Sequence, residues 1–292
     1  MTLRLAWQQA DAFTIVHLND VAAIESVAYL IQYDSVHGTW GVKVKGDAAT
    51  GLITFTEGAR TLTVKYTQSK LLADLKEEYA AAKVELVLEC TGEILSLLDG
   101  TDLALTLNCT GVYLSRKALQ PYFDMGVKRV VVSAPVKDPA AVLNIVYGVN
   151  HDQYRADVDH IVTAASCTTN CLAPVVKVVL EKLGIKHGCI TTIHNITNTQ
   201  TVVDSVNAKK DDLRRARSGM VNLAPTSTGS ATAIALIFPE LKGKLNGLAV
   251  RVPLTNASIT DCVFEVSESR LGMNVSTSTQ KIDISRHSPL RE

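Results

Sequence analysis

The sequence predicts an α/β protein of two domains, the first built on a parallel sheet with crossover helices, the second of α+β character. Three observations carry this expectation. The chain has 292 residues, room for two domains of roughly 150 each. Through the first half, apolar runs of strand length alternate with segments of helical period, as parallel strands joined by helices require. In the second half one long apolar-striped helix is followed by several alternating segments. Hydrophobic residues make up 47% and charged residues 20%, a globular composition that argues against disorder.

Met1–Ala12 spaces Leu3, Leu5, Ala6, Trp7 and Ala10 as an uneven helical face, and Phe13–Leu18 is a strand ended by Asn19-Asp20. Val21–Ile31 is helical. Thr39–Val44 and Gly51–Lys65 alternate as two or three antiparallel strands. Ser69–Lys83 reads as a charged helix, Val84–Leu88 as a buried strand, Lys117–Gly126 as a helix and Val127–Ser133 as a strand. Asp159–Ala164 is a strand running into Ser166-Cys167-Thr168. The helix that follows carries Leu172, Val175, Val176, Val179, Leu180 and Leu183 at spacings of three and four, and Gly184 stops it. Strands are expected at Gly188–Ile196, Leu245–Val252 and Thr260–Val266, with a long polar loop from Asn198 to Asn222. Domains are therefore expected at 1–165 and 166–268, with a weakly ordered, unrelated tail at 269–292.

Charge and cysteine usage narrow the function classes. Lys plus Arg is 29 and Asp plus Glu is 29, so the basic excess of a nucleic-acid or anionic-membrane binder is absent. No apolar run approaches the roughly 18 residues of a membrane span. The first ten residues have no apolar core of a secretory signal. Six cysteines without a CxxC pair suit a reducing compartment, the cytoplasm, with free thiols and no metal site.

Cys167 stands where a strand turns into a helix. Unpaired backbone N–H groups and a partial positive charge there stabilise a thiolate, and the same N–H groups can hold an oxyanion. A small core hydrophobe is the commoner fate of a free cysteine, and position alone leaves both readings open. Cys171, four residues on, is expected to pack, and Cys90, Cys189 and Cys262 lie in apolar contexts. His194, ending a strand, adds a general base that could face the thiol. Thr228-Gly229 and Arg251 add anion-binding character.

The stretch Ala165-Ser166-Cys167-Thr168-Thr169-Asn170-Cys171-Leu172-Ala173-Pro174 closely resembles the active-site signature of the glyceraldehyde-3-phosphate dehydrogenase family. Tyr33–Gly38, Ser133–Lys137, Asp212–Arg217, Pro225–Ala231 and Ala249–Pro253 resemble further family motifs in the family's order. The resemblance implies a Rossmann-type dinucleotide-binding domain, here incomplete, and a catalytic domain with a mixed or antiparallel sheet. It implies Cys167 as nucleophile and His194 as base. Ser166, Thr168, Thr228, Gly229 and Arg215 match the site for attacking phosphate, and Thr197, Thr199 and Arg251 the site for the substrate's own phosphate. Asn19, Asp20, Ser133 and Ala134 match cofactor-binding positions, with Asp20 favouring NAD over NADP. Ser205-Val206 departs from the Leu-Pro usual in NAD-preferring relatives.

The implied reaction is NAD-dependent, phosphorylating oxidation of a sugar-phosphate aldehyde, glyceraldehyde 3-phosphate, by a homotetramer. His194–Gln200, with Ile196 in place of an aromatic residue, and His17–Asp20 look similar to an arsenate-resistance branch in which arsenate replaces phosphate. Erythrose-4-phosphate oxidation and a catalytically silent interaction module are the alternatives.

Against its family the chain is expected to lack the first strand with its glycine-rich loop, and the C-terminal elements. Loss of that strand should leave neighbouring strands with open edges and an uncovered apolar face. Glu89-Cys90-Thr91-Gly92 and Asn108-Cys109-Thr110-Gly111 are near-copies, suggesting an insertion or duplication near 93–111.

Overall fold

The computed structural model describes residues 1–90, 103–108, 113–136, 138, 142–206 and 213–267. They form two compact units, Met1–Tyr147 with His151–Ala165, and Gly148–Asn150 with the described residues from Ser166 onward.

The first unit runs α1 (Thr2–Gln8), β1 (Phe13–Asn19), α2 (Ile24–Gln32), β2 (Tyr33–Asp34), β3 (Gly38–Thr39), β4 (Lys43–Asp47), β5 (Leu52–Glu57), β6 (Arg60–Thr67), α3 (Lys76–Ala82), β7 (Leu86–Glu89), β8 (Leu103–Asn108), α4 (Arg116–Asp124), β9 (Arg129–Val132), β10 (Leu143–Asn144) and β11 (Ile161–Thr163). Nine strands make one sheet in the order β10-β11-β9-β7-β8-β1-β6-β5-β4. Neighbours from β10 to β6 are parallel, and β4, β5 and β6 form the antiparallel meander expected from their alternation. The second unit holds α5 (Cys167–Leu183), β12 (Ile185–His194), β13 (Ala224–Ser227), α6 (Ser230–Ala233), β14 (Leu245–Arg251) and β15 (Ile259–Val266). Its mixed sheet is ordered β13-β14-β12-β15.

Two sequence expectations need trimming. The first helix ends at Gln8, and the charged helix over Ser69–Lys83 is a 3-10 turn at Leu72–Leu75 followed by α3 alone. Ser69 starts a local turn instead, its hydroxyl accepting from Leu71 N–H and donating to Asp74. The short strand β13 was not expected, because four residues containing Pro225 give too little alternation to read.

A larger correction concerns the strand gap. β1 is paired on one side with β6 and on the other with β8, and β7 is paired with β8 and β9, so neither has an open edge. β8 comes from the near-repeat. Its register against β7 sets Leu86 beside Leu105, Leu88 beside Leu107 and Glu89 beside Asn108. The two copies of the repeat therefore end side by side, continued by Cys90 N–H donating to Asn108 O at 2.8 Å. The apolar face is covered as well. Leu105 and Leu107 pack in one buried cluster with Leu3, Ala6 and Trp7 of α1 and with Phe13, Ile15 and Leu18 of β1. The remaining residues of the 93–111 segment lie outside those described.

On the opposite face Tyr79, Val87, Leu119, Tyr122, Val130 and Val132 form a second buried cluster under α3 and α4. A bulge between Ile15 and His17 turns both Val16 and His17 to that side, where the His17 ring meets Tyr79 edge-on. α5 begins at a Ser166 cap and ends at Gly184, whose φ of 65° lies in the region that favours glycine and whose Cβ would lie 3.0 Å from Ser267. Pro174 sits within α5 and Pro121 within α4. No helix among the described residues is long and apolar enough to cross a membrane.

Candidate active site

The second unit assembles a thiol, an imidazole and two guanidinium groups from elements distant in sequence. Cys167 is the first residue of α5, where Ser166 accepts a hydrogen bond from Thr169 N–H through its side chain. His194 and Arg251 are the last residues of β12 and β14. These strands are parallel, and their register sets His194 directly beside Arg251. Strand alternation buries Ile190, Thr192 and His194 on one face, leaving Ile193 on the other.

Cys167 Sγ lies 3.3 Å from His194 Nε2 and 4.0 Å from Thr168 Oγ1. The hydrogen bond from His194 is the main cause that lowers the Cys167 pKa to about 7, against the raising effect of burial. His194, only 4% exposed, has its Nδ1 2.8 Å from the backbone oxygen of Asn195 and 2.6 Å from Arg251 Nη1. Arg251 Nη1 also donates to Asn195 O at 3.1 Å. Burial, with the positive charge of Arg215, holds the Arg251 guanidinium below its ordinary value.

Of the tandem arginines, Arg214 is exposed and Arg215 is 8% exposed, its Nη1 donating to Thr199 Oγ1 at 2.7 Å. Thr199 in turn lies 2.9 Å from Thr197 Oγ1. Arg215 thus touches a residue matched to the other phosphate subsite. Ser166 Oγ is 3.3 Å from Ser230 Oγ, and Ser230 N–H donates to Thr228 Oγ1, which ties the Thr228-Gly229 turn to the start of α5. A Cβ built on Gly229 meets nothing within 4 Å, so the turn faces open space. Buried Arg215 and half-buried Arg251 bring two guanidinium charges to this pocket, which suits it to anions.

Two cysteine expectations fail. Cys171 and Cys189 are exposed rather than packed. Cys171 faces away from the core of α5 toward Thr260, 3.8 Å away, and Cys189 lies on the outer face of β12. Three contributors were missed by sequence reasoning: Asn195, Ser230 and Ser258, the last bonded to Asn195 through both N–H and side chain. Common polar residues in loops or at the start of a four-residue helix carry no spacing signal.

The candidate cofactor residues lie in the first unit. Leu18, Asp20, Val27, Ile31, Asp34 and Leu107 line a cavity of about 460 Å³ at the carboxyl ends of β1 and β8. Its walls suit a flat apolar ring, and Asp20 stands at the strand end where a ribose hydroxyl is held in such sheets. One Asp20 oxygen accepts from Ala22 N–H at 3.0 Å. Asn19 is buried, and its amide already donates to Ser69 O and Asn108 Oδ1 while accepting from Thr67 and Ser69. That uses its hydrogen-bonding capacity within the fold. Ser133 follows β9, with its N–H and hydroxyl both donating to Glu89 O; Ala134 comes next.

Comparison with known proteins gives the family of the chain. The family model for the glyceraldehyde 3-phosphate dehydrogenase NAD-binding domain matches residues 1–97, and that for the C-terminal domain matches residues 166–282. The chain is 48% identical to glyceraldehyde-3-phosphate dehydrogenase 3 of Nostoc sp. over 273 residues, 91% of this chain and 70% of that protein. It is 39% identical to glyceraldehyde-3-phosphate dehydrogenase 1 of Bacillus cereus and 40% identical to the Pseudomonas aeruginosa enzyme, each over 257 residues. Those alignments cover 87% and 88% of this chain and 66% and 67% of the relatives.

Proposed function

Because the chain belongs to the glyceraldehyde-3-phosphate dehydrogenase family of oxidoreductases, we propose that it oxidises glyceraldehyde 3-phosphate to an acyl phosphate through covalent catalysis at Cys167. The observation that carries this reading is the 3.3 Å approach of His194 Nε2 to a thiol placed at a helix start.

The Cys167 thiolate attacks the aldehyde carbon, and the carbonyl oxygen takes up negative charge beside the N-terminal N–H groups of α5. After protonation the product is a thiohemiacetal. His194 Nε2 then takes the hydroxyl proton as hydride departs from the same carbon, leaving an acyl thioester. NAD, when bound, supplies the hydride acceptor. A phosphate oxygen attacks the thioester carbon, the Cys167 sulfur leaves as thiolate, and acyl phosphate is released. Arg215 with Ser166, Thr168, Thr228 and Gly229 would hold the attacking anion; Arg251 with Thr197 and Thr199 would hold the substrate phosphate. Arsenate has the same shape and charge and would be accepted by the same donors.

The cavity beside Asp20 fits a nucleoside, and the Asp20 carboxylate would repel a 2′-phosphate, which supports NAD over NADP. Ile193, Leu248, Ile259 and Val263 share the exposed outer face of the second sheet, an apolar patch that supports a homotetramer. NADH formation by the purified chain from glyceraldehyde 3-phosphate, NAD and phosphate or arsenate tests the proposal. Turnover abolished by Cys167→Ser is expected. A folded chain that binds NAD but forms no NADH or acyl-enzyme would overturn it in favour of a silent module.

A further inference from the structure

Arg251 sits on the wrong nitrogen of His194 for the reaction to proceed. Its Nη1 lies 2.6 Å from His194 Nδ1 and 3.1 Å from Asn195 O. A guanidinium nitrogen only donates, and Nη1 carries two hydrogens. One can go to Nδ1 and the other to the carbonyl, so this single group satisfies both acceptors. Nδ1 must then present its lone pair, and the ring proton of neutral His194 resides on Nε2. That proton points at Cys167 Sγ, 3.3 Å away. In this form the ring supports a thiolate, yet it has no lone pair at Nε2 to receive a proton.

Oxidation needs the opposite tautomer. To take the thiohemiacetal proton, Nε2 must be bare, and Nδ1 must carry hydrogen. A ready acceptor for that hydrogen exists, because Asn195 O is 2.8 Å from Nδ1. The two ring states thus share one framework and differ only in whether Arg251 is engaged. Arg251 also has a reason to move. Its Nε is buried without a hydrogen-bond partner among the described residues, and burial together with Arg215 disfavours its charge where it rests. A dianionic phosphate would relieve both.

We propose that Arg251 is a tautomer lock on His194, released when the phosphate of a phosphorylated aldehyde draws the guanidinium away. The release step rests on the substrate-phosphate role given to Arg251 above. On release the Nε2 proton passes to water, a proton from water is taken up at Nδ1, and the ring stays neutral with its base face toward Cys167. Arg251 is then a positioning residue for His194 as well as a phosphate ligand. The phosphate of the substrate would govern turnover and not only binding, so an unphosphorylated aldehyde would form a thiohemiacetal that His194 is slow to deprotonate.

Ring ¹⁵N NMR of His194 in the full chain, assigned by loss of its signals in His194→Asn, reads the tautomer directly. The free protein is expected to show an unprotonated Nδ1 and a protonated Nε2, and Arg251→Gln the reverse. Saturating glycerol 3-phosphate, with binding followed by calorimetry, is expected to reverse the wild-type pattern. A protonated Nδ1 in the free wild-type chain, or an identical pattern in Arg251→Gln, overturns the lock. Binding without reversal overturns the release. Failure of glycerol 3-phosphate to bind overturns the substrate-phosphate reading and the release with it, while the wild-type and Gln spectra still decide the lock.

Discussion

Glu89 and Asn108 end adjacent parallel strands and are joined through one buried hydroxyl, that of Tyr122. Tyr122 donates to Glu89 Oε2 at 2.6 Å, and Asn108 Nδ2 donates to Tyr122. Asn108 Oδ1 accepts from Asn19 Nδ2 at 2.9 Å, so a buried polar chain crosses β7, β8 and β1. Burial and the neighbouring Glu89 raise the Tyr122 pKa, which keeps the hydroxyl a donor. The repeated strand is thereby tied into the middle of the sheet by its own side chain.

Asn108→Leu should therefore destabilise the first unit. It strips partners from Asn19 and Tyr122 inside the core, each loss costing about 1–3 kcal/mol. A urea titration should show a lower midpoint than wild type. An unchanged midpoint would mean that the buried polar chain through Asn108 contributes nothing to stability.

Cys167 should be the fastest thiol to alkylate, although Cys171 and Cys189 are exposed too. With its pKa at about 7, its thiolate fraction at neutral pH exceeds that of an ordinary thiol by roughly tenfold. The thiolate is the deprotonated form, so the iodoacetamide rate should rise through pH 7 and level off above pH 8. His194→Asn removes the hydrogen bond that lowers the pKa, and the inflection should move upward. Mass-spectrometric mapping that finds another cysteine labelled first would contradict the assignment.

Arg215 and Arg251 should separate in steady-state kinetics. Arg251→Leu should raise KM for a phosphorylated aldehyde far more than for an unphosphorylated one, whereas Arg215→Leu should also weaken the use of inorganic phosphate. Equal effects on both aldehydes would make Arg251 structural only.

His17 predicts an acid-side loss of stability. Burial, then the charge of Lys65, lowers its pKa to about 4. The unfolded chain binds the proton more readily, so the contribution is complete above the unfolded pKa of about 6.5 and is lost as pH falls toward 4. The integrated effect is about 3 kcal/mol. Chemical denaturation between pH 7 and pH 4 should show it, and His17→Phe should flatten that part of the profile. A wild-type profile already flat there would show that His17 protonates without cost.

The thiol and imidazole were legible in sequence because each lies at the junction of a strongly patterned strand or helix. α5 matched its expected span from Cys167 to the Gly184 stop, since leucine and valine spacing over seventeen residues leaves one helical register. The side chains proposed to bind phosphate were reached only through family resemblance, as threonines and arginines in a polar loop have no periodicity. Tertiary structure alone decided which arginine of the pair is buried, that His194 and Arg251 stand side by side, and where the repeated strand goes. Those are outcomes of strand order and register, set by pairings between segments far apart in the chain. Local pattern left Leu103–Asn108 without an assigned element; only the pairing partners on either side make it a strand and set it between β7 and β1.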